Sequence, residues 1–306
     1  MSPVDFTTQL AGMTLRNPVL TCSGTYGFGE EYASYCPLES LGGITLKGIT
    51  PLPRLGNPVP RLAETPAGLL NAVGLENPGL EEFIKSYLPK VRKLPTAAIA
   101  NISGFSIEDY VQLARALQKD SGLAALEVNI SCPNVKHGGM HFGTDPQSAQ
   151  EVIAAVKAET DLPVIAKLSP NVTDIVGMAR AVQLGGADAL SLINTLLGMH
   201  IDINQQRPVL ANTFGGLSGP AIRPVAVRMV WQVFQAVDLP IIGMGGITTW
   251  QDAVEFLLAG ATAISIGTGN FVNPHAPLNI IRGIKDYCEQ RGLDSVSDLV
   301  GLAHKS

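Results

Sequence analysis

The chain has 306 residues, 46% of them hydrophobic and only 15% charged, with 21 Lys and Arg against 26 Asp and Glu for a net charge of -5. That apolar fraction excludes a disordered chain, and the acidic balance excludes a basic face for nucleic acid or anionic lipid. Four widely spaced cysteines, Cys22, Cys36, Cys132 and Cys288, form no C-x-x-C pair, so neither a zinc site nor an iron–sulfur cluster is encoded and a reducing compartment is expected.

The opening segment, MSPVDFTTQLAGMTLRNPVL, lacks the basic-then-apolar layout of a signal peptide, and no run approaches the ~18 apolar residues that span a bilayer. A cytoplasmic protein without a membrane partner is expected. Along the chain, short apolar, β-branched runs recur at Val19 to Ser23, Ile44 to Gly48, Thr96 to Ser103, Ala125 to Cys132, Val164 to Ser169, Ala189 to Thr195, Ile241 to Gly246 and Ala263 to Thr268. Near-continuous apolar runs are what strands buried on both faces look like, and their alternation with helical patterns implies a parallel sheet.

Between these runs, Ser106 to Asp109 and Thr249 to Asp252 read as capping boxes that open amphipathic helices, and residues 149–159, 174–184 and 223–236 carry helical apolar spacing. The pattern predicts an α/β fold, a parallel (β/α)8 barrel formed by residues 1–306 as one domain. An open doubly wound sheet is the alternative, against which no G-x-G-x-x-G follows the first strand. Residues 51–80 read as a Pro- and Gly-rich loop of about thirty residues, a length that is usually functional. Residues 133–145 form a second irregular stretch, after the fourth strand.

In such a barrel the active site lies at the C-terminal strand ends. Those ends offer Ser23, Lys47, Asn101, Asn129, Cys132, Lys167, Asn194 and Thr195, and strands seven and eight end in Gly243-Met-Gly-Gly246 and Gly267-Thr-Gly269. Paired glycine turns at that position suit a phosphate, because backbone N–H groups approach it closely; tight turns alone also call for glycine. Lysines inside apolar runs, Lys47 and Lys167, each need an anion, either a ligand's or an internal carboxylate such as Glu127.

Asn71, Asn129, Asn134 and Asn194 supply amides that both donate and accept, suited to a cyclic imide or urea, although a single asparagine also serves a turn. Cys132 stands where Pro133 stops the strand, a position suited to acid–base work as well as to a small buried hydrophobe.

These residues resemble the dihydroorotate dehydrogenases of pyrimidine biosynthesis over essentially the whole chain. The resemblance is carried by Leu10-Ala-Gly-Met-Thr-Leu-Arg-Asn-Pro18, Leu46-Lys-Gly48, Asn57-Pro-Val-Pro-Arg61, Asn71-Ala-Val-Gly-Leu75 with Asn77-Pro-Gly79, and Asn129-Ile-Ser-Cys-Pro-Asn134. The continuation Val135-Lys-His-Gly-Gly139 with Phe142-Gly143 is similar to the NAD-linked, two-subunit branch. The fumarate-linked homodimers lack that wording, and the quinone-linked branch carries an N-terminal extension absent here.

The resemblance implies a TIM barrel with an N-terminal hairpin and long βα loops, holding one flavin mononucleotide (FMN) and oxidising dihydroorotate to orotate. The flavin would be contacted by Ser23, Lys47, Gly48, Asn101, Asn129, Lys167, Ile193, Gly219, Gly245, Gly246, Gly267 and Thr268, with the glycine turns on its phosphate and Lys167 at its pyrimidine edge. Dihydroorotate would be held by Lys47, by Asn71, Ala72, Val73, Gly74 and Leu75, and by Asn129, Asn134, Asn194 and Thr195.

Cys132 would take the C5 proton while the C6 hydride passes to the flavin, so activity should rise toward alkaline pH. The loop from Pro133 to Gly143, hinged at Gly138 and Gly139, would close over the substrate. No metal is expected. The resemblance further implies a partner subunit with FAD and a [2Fe-2S] cluster that carries electrons to NAD, in a heterotetramer built on a homodimer of this chain. Rival expectations are a fumarate-linked enzyme, a dihydropyrimidine dehydrogenase-like flavin barrel, and a flavin-free barrel acting on a sugar phosphate.

Overall fold

The computed structural model describes residues 4–131 and 142–305. Numbering only the barrel strands, β1 (Val19–Thr21), β2 (Gly43–Thr45), β3 (Ala97–Ile102), β4 (Ala125–Asn129), β5 (Val164–Lys167), β6 (Ala189–Leu192), β7 (Ile241–Met244) and β8 (Ala263–Ile266) close into one barrel. Each pairs in parallel with the next and β8 pairs with β1, in registers such as Asn129 opposite Lys167 and Ile264 opposite Val19. All eight expected strands are therefore present, and the open-sheet alternative is set aside.

Strand alternation sorts side chains between two cores. Leu20, Ile99, Ala125, Ile165, Ala189, Ile242 and Ala263 pack with one another inside the barrel. Their neighbours Val19, Ala98, Leu126, Val164, Leu190, Ile241 and Ile264 pack outward under the helices. Both sets are apolar, which is why the strands read as continuous runs.

A hairpin of Thr8–Leu10 and Met13–Leu15, turned at Ala11 and Gly12 with φ of +49° and +79°, joins the inner cluster through Leu10, Met13 and Leu15 and closes the bottom of the barrel. Leu10 and Leu15 are 0% and 1% exposed, and each such burial favours the closed bottom by about 1.5–3 kcal/mol. The opposite end is left to polar side chains.

The outer helices are α1 (Ile107–Ala116), α2 (Pro146–Lys157), α3 (Ile175–Leu184), α4 (Arg223–Phe234), α5 (Trp250–Leu258) and α6 (Ala276–Arg291). The Ser106 and Thr249 capping boxes form as expected, and Asp145 and Asp174 cap α2 and α3 by accepting from Ser148 N and Gly177 N. No helix among the described residues is long and apolar enough to cross a membrane.

Two expectations need correction. Residues 51–80 are not a structureless loop: Leu62–Thr65 and Gly68–Asn71 form a hairpin, and a helical segment from Leu80 to Val91, with a π-turn at Phe83–Tyr87, follows. That hairpin joins Phe214–Ser218 and Leu196–Met199 in a four-stranded antiparallel sheet above the barrel. Its strands are short, rich in glycine and open to solvent on one face, so no sustained apolar run announces them.

Several barrel strands also end sooner than the apolar runs do. Lys47, expected within the second strand, lies two residues beyond β2, where its N–H donates to Gly27 O at 2.9 Å instead of to β3. Asn194 and Thr195 likewise follow the end of β6.

One thiol in the outer core carries a pH signature. Cys288 on α6 is completely buried, and burial, reinforced by the Asp298 and Glu289 carboxylates, pushes its pKa from an ordinary 9.0 up to about 11. Below pH 9 the thiol is protonated whether the chain is folded or not. Between about 9 and 11 the unfolded chain ionises and the folded one does not, so this contribution to stability is lost as pH rises. The fall in Tm from pH 8.5 to 11 is therefore expected to be shallower in Cys288→Ala than in the wild type. Identical slopes in parallel thermal melts would refute this.

Candidate active site

The polar ends of the inner strand faces meet at the C-terminal rim. Directly below it lies a buried layer centred on Glu127 of β4, which is 1% exposed. Its Oε1 accepts from Asn101 Nδ2 at 2.7 Å and lies 3.3 Å from Lys167 Nζ, and its Oε2 accepts from Ser191 Oγ at 2.8 Å. Lys167 also donates to Ser23 Oγ at 3.2 Å. The internal-carboxylate reading thus holds for Lys167, which joins β1, β3, β4, β5 and β6 through one network. Cys22, facing the same layer, has its pKa raised by burial, with the Lys167 ammonium partly opposing the shift.

Lys47 differs. It is half-buried at the rim and makes no ion pair among the described residues. Gly48 beside it backs onto Asn101, whose Oδ1 would stand 2.8 Å from a Cβ built on that glycine. The Ser103 hydroxyl, 3.8 Å from the same point, is buried without a hydrogen-bond partner among the described residues.

The glycine turns after β7 and β8 lie on the same rim, where β8 adjoins β1. Gly245 and Gly246 have φ of +126° and +81°, so a side chain at either is strained. A Cβ on Gly246 would meet Gly219 O at 2.7 Å, and one on Gly245 would stand 3.3 Å from Ile193 Cγ1. Gly267 is different in kind: among the described residues a Cβ there would touch only Cys22, at an ordinary 3.6 Å, so none of them demands glycine. Its open face suits a ligand's close approach. Thr268 follows it and opens the one-turn helix Gly269–Val272.

The amide cluster forms on two supports. Asn194 Nδ2 donates to Asn129 Oδ1 at 3.2 Å, while Tyr110 of α1 fixes the Asn129 carbonyl by a 2.8 Å hydrogen bond. Asn71, at the end of its strand, pairs with Gly216 and donates to its carbonyl at 3.3 Å, and Gly216 in turn backs onto Thr195. The segment from Ala72 to Leu75 is braced by neighbouring asparagines. Asn57 donates through Nδ2 to Ala72 O at 2.9 Å and through its backbone to Val73 O at 2.9 Å, and Asn77 Nδ2 holds Leu75 O at 2.7 Å. Gly74 and Leu75 turn this segment with φ of +78° and +56°.

The described residues of the expected site lie at this rim, in the buried layer just below it, or on and just after the sheet above it, and most are joined by the contacts given, while Lys47 stands beside Gly48. Cys132, Asn134 and the Gly138 and Gly139 hinges lie outside the described residues. The chain is described up to Ser131, and from Phe142, which packs edge-to-face on Tyr110 with centroids 5.9 Å apart. The sequence reading missed Ser191, Ser103 and Tyr110 and gave Glu127 no more than a passing role. A carboxylate inside the apolar run Ala125-Leu-Glu-Val-Asn129 was the signal available.

Residues 5–288 match the family described as dihydroorotate dehydrogenase. The protein named dihydroorotate dehydrogenase B (NAD(+)), catalytic subunit, from Desulforamulus reducens is 57% identical over 296 residues, covering 97% of each chain. Proteins of the same name from Desulforudis audaxviator and Geotalea uraniireducens are 56% identical over 297 residues and 54% over 301, with 97% or more of both chains covered. The chain belongs to the dihydroorotate dehydrogenase family.

Proposed function

We propose that this chain is the FMN-binding catalytic subunit of an NAD-linked dihydroorotate dehydrogenase, its 306 residues acting as one unit. The observation that carries the reading is the rim itself, which sets the Lys47 ammonium, without an ion pair among the described residues, a braced amide cluster and an open glycine cradle around one space. An acid-bearing cyclic urea next to a phosphorylated cofactor is the ligand pair such a rim fits.

The residues present fit a flavin mononucleotide. Gly219, Gly245, Gly246, Gly267 and Thr268 would receive its phosphate, and Ser23, Gly48, Asn101, Asn129, Lys167 and Ile193, with Lys47, would surround its ring system. When bound, the flavin supplies the hydride acceptor. Lys47 would bind the dihydroorotate carboxylate by a charge-assisted contact. Asn71, Asn129, Asn134 and Asn194, with Thr195 and the turn from Ala72 to Leu75, would orient the ring through its alternating carbonyl and N–H groups. Cys132 would hold the proton removed from C5, and the segment from Pro133 to Gly143 would exclude water.

Electrons would leave through a second subunit, which the words "catalytic subunit" in the relatives' names favour; FAD and a [2Fe-2S] cluster would be that subunit's cofactors. Self-association is favoured by the sheet above the barrel, where Leu62, Leu197, Met199 and Phe214 share one exposed face. A homodimer within a heterotetramer, working in the cytoplasm, is the assembly proposed.

The test is the visible spectrum of the purified chain, loaded with FMN if necessary, before and after anaerobic addition of dihydroorotate. A flavin spectrum that bleaches supports the reading. A flavin spectrum that persists overturns the substrate, and a chain that binds no flavin overturns the cofactor.

A further inference from the structure

We propose that Glu127 sets the reduction potential of the bound flavin by offsetting the charge of Lys167, an inference that rests on the flavin reading above. Glu127 is a carboxylate held inside the barrel, and stability does not account for it. A buried ion pair of this kind is often matched or bettered by apolar side chains of similar volume, and the layer beneath it, with Ile99, Ile165 and Ile242, is apolar. The carboxylate is instead completely partnered, by Lys167, Asn101 and Ser191. Two of those three, Lys167 and Asn101, are residues assigned to the flavin.

Charge arithmetic gives the direction. Reduction adds negative charge to the flavin, so an uncompensated ammonium at the rim favours the reduced form and raises the potential. Glu127, 3.3 Å from that ammonium, cancels much of its field. Among the described residues, the Cys22 thiol against this layer is kept neutral by burial, and Lys47 at the rim carries the same charge in wild type and variant, so the comparison isolates the pair. The pair therefore presents little net charge, which holds the flavin potential below the value Lys167 alone would set.

Glu127→Gln tests this with little change in shape, because the amide oxygen still accepts from Asn101 and Lys167 while the amide nitrogen donates to Ser191 Oγ. FMN affinity is measured by fluorescence quenching, and the midpoint potential at pH 7 by spectrophotometric titration against a reference dye. Glu127→Gln is expected to bind oxidised FMN within about threefold of wild type and to favour the reduced form at least about tenfold more, a rise of ~30 mV for a two-electron couple. Lys167→Met should move the potential the other way.

The double variant, which buries no unpaired charge, should return close to the wild-type value. It keeps the test open even where a single variant fails to fold. A Glu127→Gln potential equal to or below wild type overturns the proposal, as does a double variant that sits at the potential of a folded Lys167→Met or at least about tenfold, ~30 mV, below wild type. Wild-type protein that binds no FMN defeats the flavin reading and this inference with it. FMN binding with an unmoved potential defeats only the role of Glu127.

Discussion

Replacing Cys132 with alanine is expected to lower kcat for dihydroorotate oxidation by about 10²- to 10⁴-fold, the usual contribution of a positioned general base, with flavin content and Tm unchanged. In the sequence Cys132 follows Ser131; among the described residues on either side, Tyr110 fixes the Asn129 carbonyl and packs edge-to-face on Phe142. No other thiol can take its place. Cys22, Cys36 and Cys288 are buried, and burial raises the pKa of all three, so they remain protonated where catalysis occurs.

Two further readouts follow from the same proposal. Activity should rise with pH as the Cys132 thiolate appears, from an ordinary value of about 8.5, and Cys132→Ser should displace that rise to higher pH because a hydroxyl ionises less readily. Alkylation of the native protein at pH 8, followed by peptide mass spectrometry, should label Cys132 and spare the other three. Full turnover by Cys132→Ala, or labelling spread evenly over four thiols, would end the assignment.

The barrel was legible because its strands are buried on both faces, so that Leu20, Ile99, Ile165 and Ile242 inside and Val19, Leu126, Leu190 and Ile264 outside leave unbroken apolar runs. Caps such as Ser106 and Thr249 were equally plain, since a capping box is a local bargain between four neighbouring residues. The sheet above the barrel was not legible. Leu62–Thr65 pairs with Gly68–Asn71 across a Pro66-Ala67 turn, but its other partners lie about 145 residues on, and no local pattern encodes that pairing.

For the site, strand ends pointed to residues that the barrel gathers at one rim, among those described. What the sequence withheld was the partner of each lysine. Lys47 and Lys167 look alike in it, both set in apolar runs, yet Lys167 meets Glu127 from the neighbouring strand whereas Lys47, beyond the end of β2, meets no acid among the described residues. Register decides that difference, and register is a property of the closed barrel.

That contrast makes Lys47→Met the sharper substitution for substrate choice. A charge-assisted contact to a carboxylate is worth about 1.5–3 kcal/mol, so kcat/KM for dihydroorotate should fall about 10- to 150-fold. Dihydrouracil, which has the same ring without the carboxylate, should be a poor substrate of the wild type and no worse a substrate of the variant. The ratio of the two kcat/KM values should thus collapse toward one in Lys47→Met, with flavin content checked by absorbance because Lys47 is also proposed to border the cofactor. Loss of both activities in equal measure would place Lys47 on the flavin alone. Wild-type protein that used dihydrouracil as readily as dihydroorotate would favour a dihydropyrimidine dehydrogenase-like reaction, because an ammonium at the rim without an internal acid then has no substrate anion to meet.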